Sequence, residues 1–373
     1  MPSDKRLTII DETIREGMQY QGVMFSLEQR IRILAFQEKL GVDVCQAGYP
    51  SAHPIEAETV SALQSHAASN GYRIRVAAMG RATPEDADRL LDTGVRDLHF
   101  HVHINPEGSD KALKNELARL VDMAVETKLS IPDCVISIAL LDIGKSGMDL
   151  LETCVRFLDH PDIDILSLPD TSGIMAPNQI FDKLSVLTAM SAHTAIAVHC
   201  HNDMGMAGAN TVMGILAGGR VLEASALGIG ERNGMADMAT TARHLKGQGF
   251  EMSLNTDDIP TFDAYYTYVD QVVYEQTGHH LLTLNTPFFG DAVKTHVAGT
   301  HANGAYGLLS GENYFLNGLC GKHLVKKFLD LHHLDCPERL ISSLTREIKS
   351  QSFQQNRCLT KTDVKRLLAS LQP

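Results

Sequence analysis

The chain has no CxxC pair, no run approaching the roughly 18 apolar residues that span a bilayer, and no excess of positive charge. Each absence excludes a class. Without a long apolar run no transmembrane helix is expected, and Met1 is followed by Pro2, Ser3, Asp4 and Lys5 rather than by the hydrophobic core of a secretory signal. A net charge of −12 argues against a nucleic-acid-binding surface. The seven cysteines are odd in number and several sit in apolar runs, so they read as reduced thiols of a cytoplasmic-type compartment rather than a disulfide framework. No Gly-rich phosphate turn follows the first β-rich run, which disfavours a doubly wound nucleotide-binding sheet.

What is present is an ordinary globular composition, 44% hydrophobic and 21% charged over 373 residues, enough for a large core. Up to about residue 247, short β-rich runs alternate with longer amphipathic ones. The β-rich runs cover 7–14, 42–47, 74–79, 98–104, 134–140, 165–169, 196–201 and 221–228. Eight strands with intervening helices predict an α/β fold, a (β/α)8 TIM barrel, over residues 1–250. The pattern then changes. A Tyr-rich helical stretch, a Gly- and His-rich segment and two further helices predict a smaller, mainly helical subdomain over 251–373.

Chemistry concentrates at predicted strand ends. His199-Cys200-His201-Asn202-Asp203 closes the seventh strand. Residues i and i+2 of a strand share a face, so both imidazoles can reach one ion at the C-terminal mouth, where barrels place catalytic groups. Alone, a His-x-His is as readily structural. The first strand ends in Asp11-Glu12-Thr13-Ile14-Arg15-Glu16-Gly17-Met18-Gln19, where a carboxylate beside a guanidinium suits a metal ligand next to an oxyanion stabiliser, though by itself the segment reads more readily as a surface ion pair before a helix. His99, His101 and His103 alternate on the fourth strand and either line the site or form buried hydrogen bonds.

Together, Arg15-Glu16-Gly17 and His199-x-His201 resemble the metal-dependent lyase and Claisen-synthase barrels. That superfamily includes 2-isopropylmalate, homocitrate and citramalate synthases and 3-hydroxy-3-methylglutaryl-CoA lyase. Ordered matches continue through Ala47-Gly48-Tyr49-Pro50, Asp170-Thr171-Ser172-Gly173 and Gly228-Ile229-Gly230-Glu231-Arg232-Asn233-Gly234. The resemblance implies Glu16, His199 and His201 as ligands of a divalent metal (Mn, Mg, Zn or Co). It implies Arg15 as oxyanion stabiliser and Thr171 as a contact for a 2-oxo acid carboxylate, with Gln19, Gln46 and His103 lining the substrate site. Gly299-Thr300-His301 resembles an element of the synthases in which the His, paired with a downstream Tyr, deprotonates acetyl-CoA across a dimer interface. His301 and Tyr314 match it.

Four departures from the resemblance matter. Gln46 stands where the family has Glu, and Met235 where many members have an Asn. On the fifth strand the catalytic Glu falls at Leu140 or Leu141, and the arginine that grips 2-oxoglutarate falls at Ile136. The fourth-strand histidines are the last. The resemblance implies a cytoplasmic homodimer condensing an acyl-CoA, acetyl-CoA first, with a 2-oxo acid. It leaves open the reverse cleavage, as in the lyase, and a catalytically lapsed barrel that only binds. No feedback domain is expected after the subdomain.

Overall fold

The computed structural model describes residues 5–104, 109–140, 142–296 and 313–371. It divides into two compact units, Met1–Leu281 and Leu282–Pro373.

The first unit is built on eight parallel strands, β1 (Arg6–Asp11), β2 (Val44–Gln46), β3 (Arg75–Arg81), β4 (Asp97–Val102), β5 (Val135–Leu140), β6 (Ile165–Asp170), β7 (Ala195–Cys200) and β8 (Val221–Ala224). Each pairs with the next, β8 pairs with β1, and β1 pairs with β2, so the sheet closes. A short β9 (Glu251–Met252) adds to β1 below the barrel. The chain is a (β/α)8 barrel. Its strands are apolar on both faces because helices cover the outside and packed side chains fill the inside. All six residues of β6 are buried. Ile10, Val44, Ala77, Ile165, Ala197 and Val221 form the apolar lower interior, which leaves the upper layer free for polar groups.

Local sequence sets the helix ends. Helix α1 (Thr13–Gly17) is a single tight turn after β1, and α2 (Leu27–Leu40) follows it. In α2, Ser26 and Gln29 form a reciprocal capping box, and Gly41 ends the helix at φ 78°, where a side chain would be strained. Among the described residues, seven more helices cover the barrel between successive strands and after β8, from α3 (Pro54–Ser69) through α8 (Ala207–Leu216) to α9 (Met238–Gly247).

Helix α10 (Ile259–Thr277) belongs to this first unit, so the expected division at 250 falls inside it. The cause is a pair of buried tyrosines. Tyr265 donates to Asp11 at 2.8 Å and Tyr266 to Asp237 at 2.7 Å, which ties the helix to barrel residues. No described helix is long and apolar enough to cross a membrane.

In the second unit, Thr295–His296 pairs in parallel with Asn313–Tyr314. Three helices, Lys322–Leu331, Ile341–Gln355 and Lys361–Leu371, close over a core that includes Leu324, Phe328, Leu344, Ile348 and Val364.

Candidate metal centre and its cavity

The C-terminal mouth of the barrel opens into a cavity of about 530 Å³. Its walls carry Arg15, Glu16 and Gln19 from the first strand end, Gln46 and Tyr49 from the second, and His99 and His101 from the fourth. Ser137 and Ala139 come from the fifth, Ser167 and Thr171 from the sixth, and His199, His201 and Glu223 from the seventh and eighth.

Glu16, His199 and His201 converge there, each offering a ligand atom within 4.8 Å of the others, and all three are buried. The Nε2 atoms of His199 and His201 lie 3.3 Å apart. Two nitrogens each about 2.1 Å from one ion sit roughly 3.0–3.4 Å apart at square to tetrahedral angles, so the pair fits a single divalent cation. His199 Nδ1 lies 3.1 Å from Glu12 and 3.2 Å from Glu223, which assigns its proton to Nδ1 and leaves Nε2 for the ion. Glu223 also accepts from Ser167 at 2.8 Å. One carboxylate and two imidazoles suit Zn, Mn, Mg or Co, and leave coordination positions for a chelating substrate.

Charge in the centre is tightly balanced. Burial pulls His199 down, but the Glu12 charge and hydrogen bonds to Glu12 and Glu223 outweigh it and hold the ring up at about 10. Burial, with the His199 charge, pushes His201 down to about 4. Burial raises Glu12, yet Arg15 and His199 bring it down to about 2. The protein alone thus holds one proton between two carboxylates, in a place where a divalent cation competes for the same charge.

Arg15 is buried against this cluster. It donates to Glu12 at 2.9 Å, to Glu16 and to the Gln46 side-chain oxygen. These three bonds leave its remaining N–H groups for an oxyanion. The Gln19 amide lies 3.0 and 3.1 Å from the Glu16 oxygens, with its nitrogen facing them. Gln46 continues through its nitrogen to His99 Nδ1 at 2.8 Å. Burial pushes His99 down to about 4, so its ring is neutral. Thr171 accepts from the Asp142 amide at 3.3 Å, and Arg232 fixes the loop above it by donating to Asp203 and to the Thr171 carbonyl.

Several expected positions fall elsewhere. His103 lies past the end of β4 and is exposed, so the inward residues of that strand are His99 and His101. Tyr49 donates to or accepts from His101 at 3.2 Å. On β5 the inward parity belongs to Ser137 and Ala139. Leu140 and Ile136 are buried on the opposite face, so Ala139 is the position from which an acidic side chain would reach the cavity. Met235 is buried, bridges the His201 backbone and does not line the cavity. His301 lies outside the described residues. Tyr314 is half-buried in the second unit, its ring 5.8 Å from that of His296. Glu12 and Glu223 carry no role in the sequence reading. Glu223 is a carboxylate inside the short apolar strand β8, whereas Glu12 follows Asp11 just past the end of β1.

The HMGL-like family model matches residues 6–265. The chain belongs to the HMGL-like family. It is 28% identical to the 2-isopropylmalate synthase of Sulfolobus acidocaldarius over 97% of this chain and 95% of that protein. It is 30% identical to a probable 2-isopropylmalate synthase of Ignicoccus hospitalis over 80% of this chain and 73% of that one. Among solved structures, the HMG-CoA lyase of Bacillus subtilis superposes with a TM-score of 0.59 at 18% identity, over 73% of this chain and 95% of the lyase. A lyase from Acinetobacter baumannii, solved with coenzyme A and 3-methylmalate, superposes with a TM-score of 0.60 at 14% identity, over 75% and 94%. At those identities the lyases speak for the fold.

Proposed function

We propose that this protein is a divalent-metal-dependent enzyme that condenses an acyl-CoA, acetyl-CoA first, with a 2-oxo acid to give a 2-hydroxy acid and free CoA. The observation that carries the reading is Glu16, His199 and His201 gathered on one wall of a cavity with Arg15 beside them. Relatives named 2-isopropylmalate synthase, matched over nearly the whole chain, support it.

When bound, a divalent ion supplies Lewis-acid polarisation of a keto oxygen. The chain's own residues do the rest. The Thr171 hydroxyl, on the cavity wall, contacts the 2-oxo acid carboxylate. Gln19 and Gln46 hold Glu16 and Arg15 in place. Arg15 turns its free N–H groups to the alkoxide that forms as the acyl carbanion adds to the keto carbon. His301, paired with Tyr314, takes the acyl methyl proton, and water then cleaves the thioester. We assign these two residues to the partner subunit of a homodimer. Seven free thiols support a reducing, cytoplasmic compartment.

The reverse reading, cleavage of a CoA thioester, rests on Ser137 and Ala139 presenting no carboxylate from β5. Thiol release from acetyl-CoA with added 2-oxo acids, and acetyl-CoA formation from the 2-hydroxyacyl thioester, separate the two directions.

A further inference from the structure

A single hydrogen-bond donor on the cavity floor has its direction dictated by its neighbours. Arg15 can only donate, so the Gln46 oxygen faces its Nε. The Gln46 nitrogen therefore faces the other way and donates to His99 Nδ1 at 2.8 Å. A ring nitrogen that accepts carries no proton, and a neutral imidazole then holds its proton on the other nitrogen. His99 Nε2 is thus an N–H group. It belongs to a cavity-lining residue that is only 2% exposed, and has no hydrogen-bond partner among the described residues. Folded proteins rarely leave such a group unpaired without a purpose.

We propose that His99 sets substrate specificity, donating from Nε2 to an uncharged oxygen on the side chain of the 2-oxo acid, and that Gln46 is the positioning residue that makes it a donor. The proposal rests on the 2-oxo acid reading of the barrel. It names the substrate class as 2-oxo acids with a hydroxyl, carbonyl or amide oxygen beyond the keto carbon. Ser137, the register neighbour of His99 on β5, adds a hydroxyl to the same wall, and Ala139 leaves room above it. A distal carboxylate fits poorly, because Glu12, Glu16 and Glu223 line the same cavity and would repel it. A plain alkyl chain would cover the His99 N–H without pairing it. A glutamate at position 46 could not donate to the ring, and would draw a proton onto Nδ1 instead.

The test is calorimetric binding to the Mg2+-loaded full chain, comparing 4-hydroxy-2-oxobutanoate, 2-oxopentanoate, in which a methyl replaces the hydroxyl, and oxaloacetate. The hydroxy acid should bind about tenfold or more tighter than both others. His99→Phe should abolish that preference while still binding 2-oxopentanoate. Imidazole nitrogen NMR of the unsubstituted protein should place the proton of His99 on Nε2, and Q46E should move it to Nδ1 or add a second. Equal or tighter binding of 2-oxopentanoate or oxaloacetate, a preference that survives His99→Phe, or an Nδ1–H tautomer overturns the proposal. The NMR result decides even where a variant fails to fold. If Mg2+ binds and none of the three acids does, the 2-oxo acid reading falls as well. If all three bind alike, only the proposal falls.

Discussion

The Nε2 atoms of His199 and His201 face one another at 3.3 Å on a wall that Glu16 completes. A divalent ion held by both nitrogens would take the place of the direct contact between them. H201A and E16Q should each lower affinity for a divalent ion by more than about a hundredfold, with the circular dichroism spectrum unchanged. Elemental analysis after gentle purification, followed by titration with Zn2+ or Mn2+, checks it. Normal metal content in both variants would remove this triad from metal binding.

Glu223 acts one step further out. It lies 3.2 Å from His199 Nδ1 and so helps hold that ring in the tautomer that offers Nε2. E223Q should weaken metal binding by about 10- to 100-fold, the usual cost of losing an orienting partner, and should leave the ligands themselves in place. The same titration measures it.

Arg15 should matter to turnover more than to assembly. Arg15→Ala removes the oxyanion donor beside the metal ligands and should cut kcat by about a hundredfold or more. Metal content, measured alongside, should remain near that of the unsubstituted protein. Near-normal kcat would take Arg15 out of the mechanism.

If His301 acts across a dimer interface, mixing inactive H301A and E16A subunits should restore activity, because a hybrid dimer holds one intact site. With free exchange, half the dimers are hybrids, and recovery should approach about a quarter of full activity. No recovery after proven exchange would place His301 in its own subunit's site or outside the reaction.

The barrel is legible in the sequence because parallel strands buried on both faces read as short apolar runs between amphipathic ones. The seventh-strand histidines are legible for the same reason, since i and i+2 share a face in any strand. The first strand is less so. Its apolar run extends past Asp11, but the Asp11 carboxylate accepts from the Thr13 amide at 2.8 Å and ends the strand in the turn of α1. Arg15 and Glu16 therefore project from a helical turn. Where the strand stops also decides His103, which keeps the right parity but lies beyond the pleat that would aim it. Parity misleads at Leu140, because motif spacing counts residues whereas facing depends on register, and the register turns Ala139 inward. Glu12 and Glu223 meet only when β8 closes onto β1, a contact that no local pattern announces. Tyr265 and Tyr266 likewise read as a separate amphipathic helix until their hydroxyls find Asp11 and Asp237.

The central claim is carbon–carbon bond formation from an acyl-CoA and a 2-oxo acid. The most direct measurement is free thiol released from acetyl-CoA by the metal-loaded chain in the presence of a panel of 2-oxo acids, with the acyl product identified by mass. Thiol release should require both the 2-oxo acid and the metal, be matched mole for mole by a 2-hydroxy acid enlarged by the acetyl unit, and be abolished in H201A. Metal-loaded protein that releases no thiol with any 2-oxo acid, or that only cleaves the condensed thioester, would contradict it.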